Sequence, residues 1–475
     1  MTALALAVYA VLLAVAAVVV WRRPVVALYV FVVGLAVHNL VMALLYGAGI
    51  RGDALTVVAA WKETILLVAL ASVAWRGWRE RRLPFEPGLV DALALAFAAV
   101  VVLYAVLPQG PLGGEATADA AARALRSLIA PVAAYFLGRS LILDRAELRR
   151  IGWTIVGAGC AVAAFGLADV YLVSLDWWRS SGAVGWFRDQ LGFDYGRGLS
   201  GLPENFVFNP GNEEPLRRLV STFLSPLASG FMLAVSILVA TRLRRGWWAV
   251  PLLFAGLLWT HSRSVYLALA VGFLVLAAVA RRWWPVAAAI AVVAIGAAFV
   301  EVYPHLGTET RFTPSELAVQ RANARANRGA EHEPLSVEEP SIASHLRNLR
   351  DGLERVARHP QGYGLGNAGA VAKRSDVPIL AGESNYTEIG VQTGIVGLAL
   401  FLAWSLALLV LLARRGRAVP AAALATVLAL AVQTDAYGVP WLGYVVWAGC
   451  GALLGHATLE PRWRSIPAST SATST

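Results

Sequence analysis

The chain is poor in cysteine, lysine and charge, and each shortage excludes something. Its two cysteines, Cys160 and Cys450, lie in apolar runs without metal-ligand spacing. That argues against a disulfide scaffold or a cysteine metal centre and reads both as small core residues. Charged residues make up 15% of the 475 positions, against about 25% in soluble domains. With 58% hydrophobic residues, the chain cannot cover itself with a water-facing surface. Lysine is confined to Lys62 and Lys373, so the net charge of +10 is carried almost entirely by arginine. In a soluble protein such a balance would point to nucleic acid. Here the arginines gather at the ends of apolar runs, as topology signals do, and no nucleic-acid partner is expected.

What the chain has instead is apolar runs near the ~20 residues that cross a hydrocarbon core. Lipid offers the backbone no hydrogen bonds, so these runs are expected to be helices. Thirteen spans are read near 2–20, 25–47, 54–75, 88–107, 124–141, 151–173, 219–240, 246–260, 265–280, 284–302, 385–412, 418–434 and 439–457. Arg22-Arg23 and a second apolar run follow the first segment at once, so it reads as a retained span rather than a cleaved signal.

Arginine bias orients the bundle. One set of alternate loops carries Arg22-Arg23, Arg76 to Arg82, Arg139 to Arg150, Arg242 to Arg245, Arg281-Arg282, Arg414 to Arg417, and the tail with Arg462 and Arg464. These are cytoplasmic by the positive-inside rule, with the N-terminus outside and the C-terminus inside. The expected organisation is an all-α polytopic membrane protein. It has ten transmembrane helices in 1–302, a large extracytoplasmic loop at 303–384, three helices in 385–457 and a cytoplasmic tail at 458–475. A smaller outer loop, about 174–218, is aromatic, with Trp177, Trp178, Trp186, Phe187, Phe193, Tyr195, Phe206 and Phe208.

The large loop divides in two. The composition of Thr310 to Pro340 predicts a mobile stretch. Beyond it, Ile342, Leu346, Leu349, Leu353 and Val356 form one helical stripe. Arg347–Asp351, Arg350–Glu354 and Glu354–Arg358 stand at i,i+4 on the other face. Pro360 and Gly362 end the helix. It is expected to lie on the membrane or on the tops of the spans.

Four polar motifs interrupt the apolar pattern. Arg217-Arg218 precede Ser221-Thr222-Phe223-Leu224-Ser225-Pro226; two guanidiniums at a helix start make an anion site, or else snorkel to headgroups. Thr260-His261-Ser262-Arg263-Ser264 forms a tight turn, either a second phosphate contact or a cap on two helix ends. His359-Pro360-Gln361-Gly362-Tyr363-Gly364-Leu365-Gly366-Asn367 lets backbone approach a ligand, or simply turns the chain. Gly382-Glu383-Ser384-Asn385-Tyr386 places a carboxylate where the loop re-enters the membrane, as a general base or a helix cap. Lys62-Glu63 reads as a locally satisfied pair or a lipid-phosphate contact. The roles of His38, Asp169 and Asp435 stay open.

In this order the motifs resemble the O-antigen ligase and polymerase superfamily of bacterial membrane glycosyltransferases, over roughly 217–457. The resemblance implies transfer of a glycan from an undecaprenyl-diphosphate carrier, on the outer face of the cytoplasmic membrane, with inversion and with neither metal nor cofactor. The acceptor would be another glycan or a lipid-linked glycan, and envelope-polysaccharide assembly proteins are possible partners. It also implies that Arg218 and Arg263 hold the diphosphate, helped by Arg217 and by Arg347 or Arg350 on the loop helix. His261, Gly362, Gly364, Gly366 and Asn385 belong to the substrate loops. The ligase branch carries a His-Asn pair where this sequence has Glu383-Ser384-Asn385. Glu383 is therefore the first candidate base, with His345 and His359 in reserve, and the departure suits a polymerase or exopolysaccharide branch better than a lipid A-core ligase. The competing class is a transporter or flippase for polysaccharide or lipid-linked glycan. That class calls for broken helices, midplane charges and internal repeats, whereas the unusual polar residues here sit at one interface. A protein-glycosylating oligosaccharyltransferase and an inactive assembly partner are further alternatives.

Overall fold

The computed structural model describes residues 2–193, 202, 206–208, 215–308, 314, 317–318, 321–322 and 340–455. Most of the Thr310–Pro340 stretch, Tyr195 of the aromatic loop and the tail at 458–475 lie outside the described residues. Among the described residues, nine helices are long and apolar enough to cross a membrane: Leu4–Arg22, Val26–Gly47, Gly52–Glu80, Leu89–Val106, Ala118–Arg139, Arg145–Leu172, Arg263–Ala280, Trp284–Leu306 and Asn385–Arg414. Pro226–Ala240, Gly246–Trp259, Ala418–Leu430 and Leu442–Leu454 are shorter apolar helices. The one strand pairing described is antiparallel, Val207–Phe208 with Leu216–Arg217. The chain is an all-α polytopic membrane protein.

Small residues let the helices meet. Ala118–Arg139 packs on Trp447–Gly455, where a Cβ on Gly138 would come within 2.8 Å of the Ala448 carbonyl carbon and one on Gly451 within 3.0 Å of the Arg139 amide. This is the close approach that membrane helices use in place of a hydrophobic driving force. Arg263–Ala280 is held between Trp284–Leu306 and Ala418–Leu430. Away from the membrane-facing surface, Arg139 grips Asp91 through Nε at 2.9 Å and Nη2 at 3.1 Å, and Tyr135 donates to the same carboxylate.

The helices depart from the sequence expectation at three polar or glycine-bearing points. The span expected at 219–240 begins only at Pro226. Residues 220–225 form a buried irregular turn, with Ser221 and Leu224 at φ 50° and 52°. Such backbone survives at membrane depth only when protein satisfies it. Ser221 Oγ donates to Val162 O and Thr222 Oγ1 to Ala36 O, both at 2.6 Å, while Asn39 Nδ2 donates to Phe223 O. The Ser-Thr-Phe-Leu-Ser-Pro motif thus encodes a knot of side chain-to-backbone bonds followed by a Ser225 cap. The third span breaks at Ala60, between Gly52–Ala59 and Trp61–Glu80. The Asn385–Arg414 helix is interrupted at Gly394, at φ 67° and ψ −176°.

The loop helix forms as expected, over Pro340–Arg358, with the Glu354–Arg358 pair made. It rests on the start of the Asn385–Arg414 helix. Its apolar stripe docks only in part: Val356 is buried, but Leu346 and Leu353 are exposed. Gly352 makes the contact instead, because a Cβ there would stand 2.7 Å from Thr387 Cβ. The glycine therefore sets how close the helix can come.

Candidate active site

The loop returns to the membrane through a sharply fixed corner. Ser384 Oγ and the Asn385 amide both donate to Ala431 O, at 3.3 and 2.9 Å. Asn385 Nδ2 donates to Asp435 Oδ1 at 2.8 Å, and Asn385 Oδ1 accepts from the Tyr437 amide. Both side chains are buried and spent on protein. The residue just before them, Glu383, is driven to φ 62°, a conformation that costs a non-glycine residue of order 1 kcal/mol or more and clusters at functional sites. Its carboxylate points outward to the loop helix. There Oε2 lies 2.8 Å from His345 Nδ1 and accepts from Asn348 Nδ2 at 2.8 Å. The His345 bond, then that from Asn348, outweigh partial burial and hold the Glu383 carboxyl below the ordinary carboxylate range. Lys373 is close enough to add its charge. Glu388 lies beneath, buried against Gly369.

His359 is elsewhere. Its ring stacks on Tyr363 at 4.0 Å, with Nε2 2.9 Å from Leu112 O and Nδ1 3.1 Å from Gln361 Nε2. The glycine turn after it is packed into protein on every side. Gly362, at φ 75°, crosses Gly394, with Tyr363 N bonded to Val391 O and Ile395 N to Pro360 O. Gly364 and Gly366 abut Gln109 and Ala120, and Asn367 bonds Gln109 and the Glu115 amide. The turn is the seat by which the loop docks on the segment ahead of Ala118–Arg139. Gly394→Ala is accordingly expected to cost about 1–3 kcal/mol, since its Cβ would meet Pro360 O at 2.5 Å. Detergent-solubilised protein melting at the wild-type temperature would contradict this.

The arginine motif forms a second group. Arg217 is a buried lock: Nη2 meets Asp169 Oδ2 at 3.1 Å and Nη1 donates to Val173 O at 2.8 Å, while Trp178 Nε1 donates to the same Asp169. Arg218, also buried, reaches the Thr260–Ser262 turn, with Nε to Thr260 O at 2.9 Å and Nη2 to His261 O at 3.2 Å. Burial lowers its guanidinium to about 10, so it stays charged at neutral pH, and Arg263 is near enough for the two charges to interact. His261 is itself buried, at φ 47°, its ring stacked on Tyr303 at 4.5 Å and near Phe208 at 4.2 Å. Arg263 opens its helix and is half-buried. Arg347 and Arg350 are exposed on the loop helix.

Residues outside the four motifs also converge here. Arg374, on the short helix Gly369–Arg374, donates Nε to Leu191 O and lies over the Phe193 ring, tying the large loop to the aromatic one. Its charge acts on both Asp435 and Lys62. Lys62 meets Glu63 at 3.5 Å, and Glu63 meets Arg126 at 3.6 Å. Arg126 falls within the span read as 124–141 and was not singled out from the sequence, although a charge inside an apolar run is the signal that could have found it. His38 bonds Trp61 Nε1 at 3.2 Å. Among the described residues, no group of three or more His, Cys, Asp or Glu side chains is arranged to hold a metal ion.

The Thr260–Arg263 turn, the loop helix, the glycine turn and the Glu383 corner all fall in residues 248–402, which match the family model described as O-antigen ligase. No curated protein matches the chain. Over those residues, a third of its length, the chain is similar to the O-antigen ligase family.

Proposed function

We propose that the chain is a glycosyltransferase of the bacterial cytoplasmic membrane that takes a glycan from an undecaprenyl-diphosphate carrier on the outer face and joins it to a hydroxyl of an acceptor glycan. The observation that carries this reading is the His345–Glu383–Asn348 group, held at a left-handed corner inside the family-matched stretch.

The chemistry follows from the hydrogen bonding. A neutral imidazole that donates Nδ1–H to Glu383 keeps its Nε2 lone pair for a substrate proton. Glu383 then orients the ring and stabilises the imidazolium that forms. The acceptor oxygen attacks the anomeric carbon, its proton passes to His345 Nε2, and the bond from that carbon to the carrier diphosphate breaks with its electron pair on the phosphate oxygen. Attack opposite the leaving group inverts the centre. Arg263 is the principal partner of the departing diphosphate, where preorganised cations offset the developing charge. Arg218 fixes the turn that carries Arg263 and adds to the field. Arg217 acts at a distance, by anchoring that strand to Asp169. Glu383 thus moves from base to the residue that positions the base, and His359 and the three glycines become the scaffold of the loop.

Deleting the gene is expected to leave either single repeats on the envelope glycan, for a polymerase, or long chains retained on the lipid carrier, for a ligase. Gel profiles of the glycan would report which. A deletion strain with the parental profile would sink the reading.

A further inference from the structure

The arginine-rich face of the bundle, opposite the one that carries Glu383 and Arg263, holds cations that no protein group neutralises. Arg79, Arg81 and Arg82 are exposed, and among the described residues their guanidiniums form no ion pair or hydrogen bond. Glu80, the acid in their midst, bonds none of them. Arginines at the surface of the other face behave differently. Arg123 pairs with Asp119, Arg179 with Asp176 and Arg188 with Asp189, each at 2.7 Å. Arg76, one turn back from Arg79, is spent on the first span, with Nη2 donating to Trp21 O at 3.0 Å and to Arg22 O at 2.7 Å.

The chain folds these three groups around a cavity of about 750 Å³. The helix Trp61–Glu80 ends at Arg81, at φ 52°. The Arg82 amide then turns back to Gly77 O at 3.0 Å and the Arg81 amide to Trp78 O at 3.2 Å, the paired bonds of a Schellman turn. Gly77 permits the fold-back, because a Cβ there would already stand 3.0 Å from Arg82 O. The left-handed position of such a turn is ordinarily glycine's, and Gly416 takes one at another corner of this face, at φ 67°. Arginine takes it here, and Arg245 and Arg281 take left-handed positions at two further corners. Trp78 walls the cavity; it is 70% exposed and its ring lies 5.0 Å from that of Trp75.

We infer that residues 77–84 form a headgroup site for a phospholipid that carries two phosphate groups. Three guanidiniums less the Glu80 carboxylate leave two positive charges, which two phosphodiesters neutralise. The guanidinium fork matches phosphate oxygens. Exposed indoles fit the glycerol level of a leaflet, and basic pockets at the arginine-rich ends of membrane helices take such headgroups. A soluble anion would have no use for Trp75 and Trp78. A headgroup site opens to the bilayer, so exposed arginines are what it needs. The positive-inside rule explains the sign of the charge on this face. It calls neither for a cavity nor for the arginine fork, since lysine serves it equally. The site stands apart from the proposed reaction and does not depend on it.

The test titrates the purified full chain, in phosphatidylcholine nanodiscs, with cardiolipin, whose headgroup carries two phosphates. Native mass spectrometry counts the lipid that stays bound. Arg79→Gln, Arg81→Gln and Arg82→Gln together should weaken the tightest-bound cardiolipin about 10²-fold, at roughly fivefold per arginine. Arg281→Gln with Arg282→Gln, on the same face but at another corner, should leave it unchanged. Arg79→Lys, Arg81→Lys and Arg82→Lys together keep the topology signal, yet should lose most of the preference for cardiolipin over phosphatidylglycerol, because the fork is gone. All three variants should melt at the wild-type temperature in phosphatidylcholine alone, which separates a lost ligand contact from a lost fold. A lysine variant with the wild-type preference would leave these arginines as topology signals and overturn the site. So would a loss as large in the Arg281/Arg282 variant, which would mean a general surface field. Displacement of the lipid by inorganic pyrophosphate at matched concentration would overturn it in favour of a soluble anion.

Discussion

Replacing His345 with alanine is expected to slow glycan transfer about 10²–10⁴-fold, the range for a positioned general base, with little change in the amount of membrane-inserted protein. The side chain is half-exposed and its role in packing is small; the docking of the loop helix runs through Gly352 and Val356. The loss should therefore appear in kcat rather than in KM for the lipid-linked donor. Glu383→Gln should fall in the same direction with a smaller effect, because an amide oxygen still accepts from Nδ1–H but no longer stabilises the imidazolium. The carboxylate is also a pH-dependent clamp on the loop helix. Bonding from His345 and then Asn348 holds its carboxyl below the ordinary glutamate range, so its contribution to docking is fully present above the unfolded value and is lost only as pH falls through the lowered folded value. Across pH 5–8 the clamp stays intact, and limited proteolysis at the loop should be flat over that window. A His345→Ala enzyme turning over at the wild-type rate would move the proton to Glu383 or to the substrate itself.

The sequence was most informative where one physical rule dominates. Hydropathy marked the spans because lipid leaves the backbone no alternative to a helix. It was blind at residues 220–225, since Phe223 and Leu224 keep the apolar run going while Ser221 and Thr222 bend it by bonding to Val162 and Ala36 on other helices. Those partners lie 59 and 186 residues away, and no local pattern encodes them. The three alternating glycines had the same ambiguity. Their φ values answer a real need for flexibility, but the surface that approaches them is Gln109 to Ala120 and Gly394 rather than a ligand. Glu383 was visible as an odd carboxylate at a re-entry point. Its pairing with His345, 38 positions earlier on a helix expected only to lie flat, depends on how Gly352 seats that helix.

The adjacent arginines 217 and 218, read together as one motif, should separate sharply when mutated. Arg217→Ala leaves Asp169 buried with Trp178 as its remaining side-chain donor, and stranding a buried charge costs about 3–5 kcal/mol. Its phenotype is loss of folded protein, measured as a lower melting temperature and a smaller monodisperse fraction. Arg263→Ala should do the opposite: protein at the wild-type level, and transfer reduced about 10²–10³-fold, the effect of removing one donor aimed at developing charge. The double change Arg217→Leu with Asp169→Leu settles whether the first effect is electrostatic. With neither charge left to desolvate, stability should return to near or above that of the wild type, and activity should return with it, since Arg218, just past the strand, would again hold the Thr260–Ser262 turn in place. Stable but inactive protein from that double variant would mean that Arg217 meets the diphosphate directly.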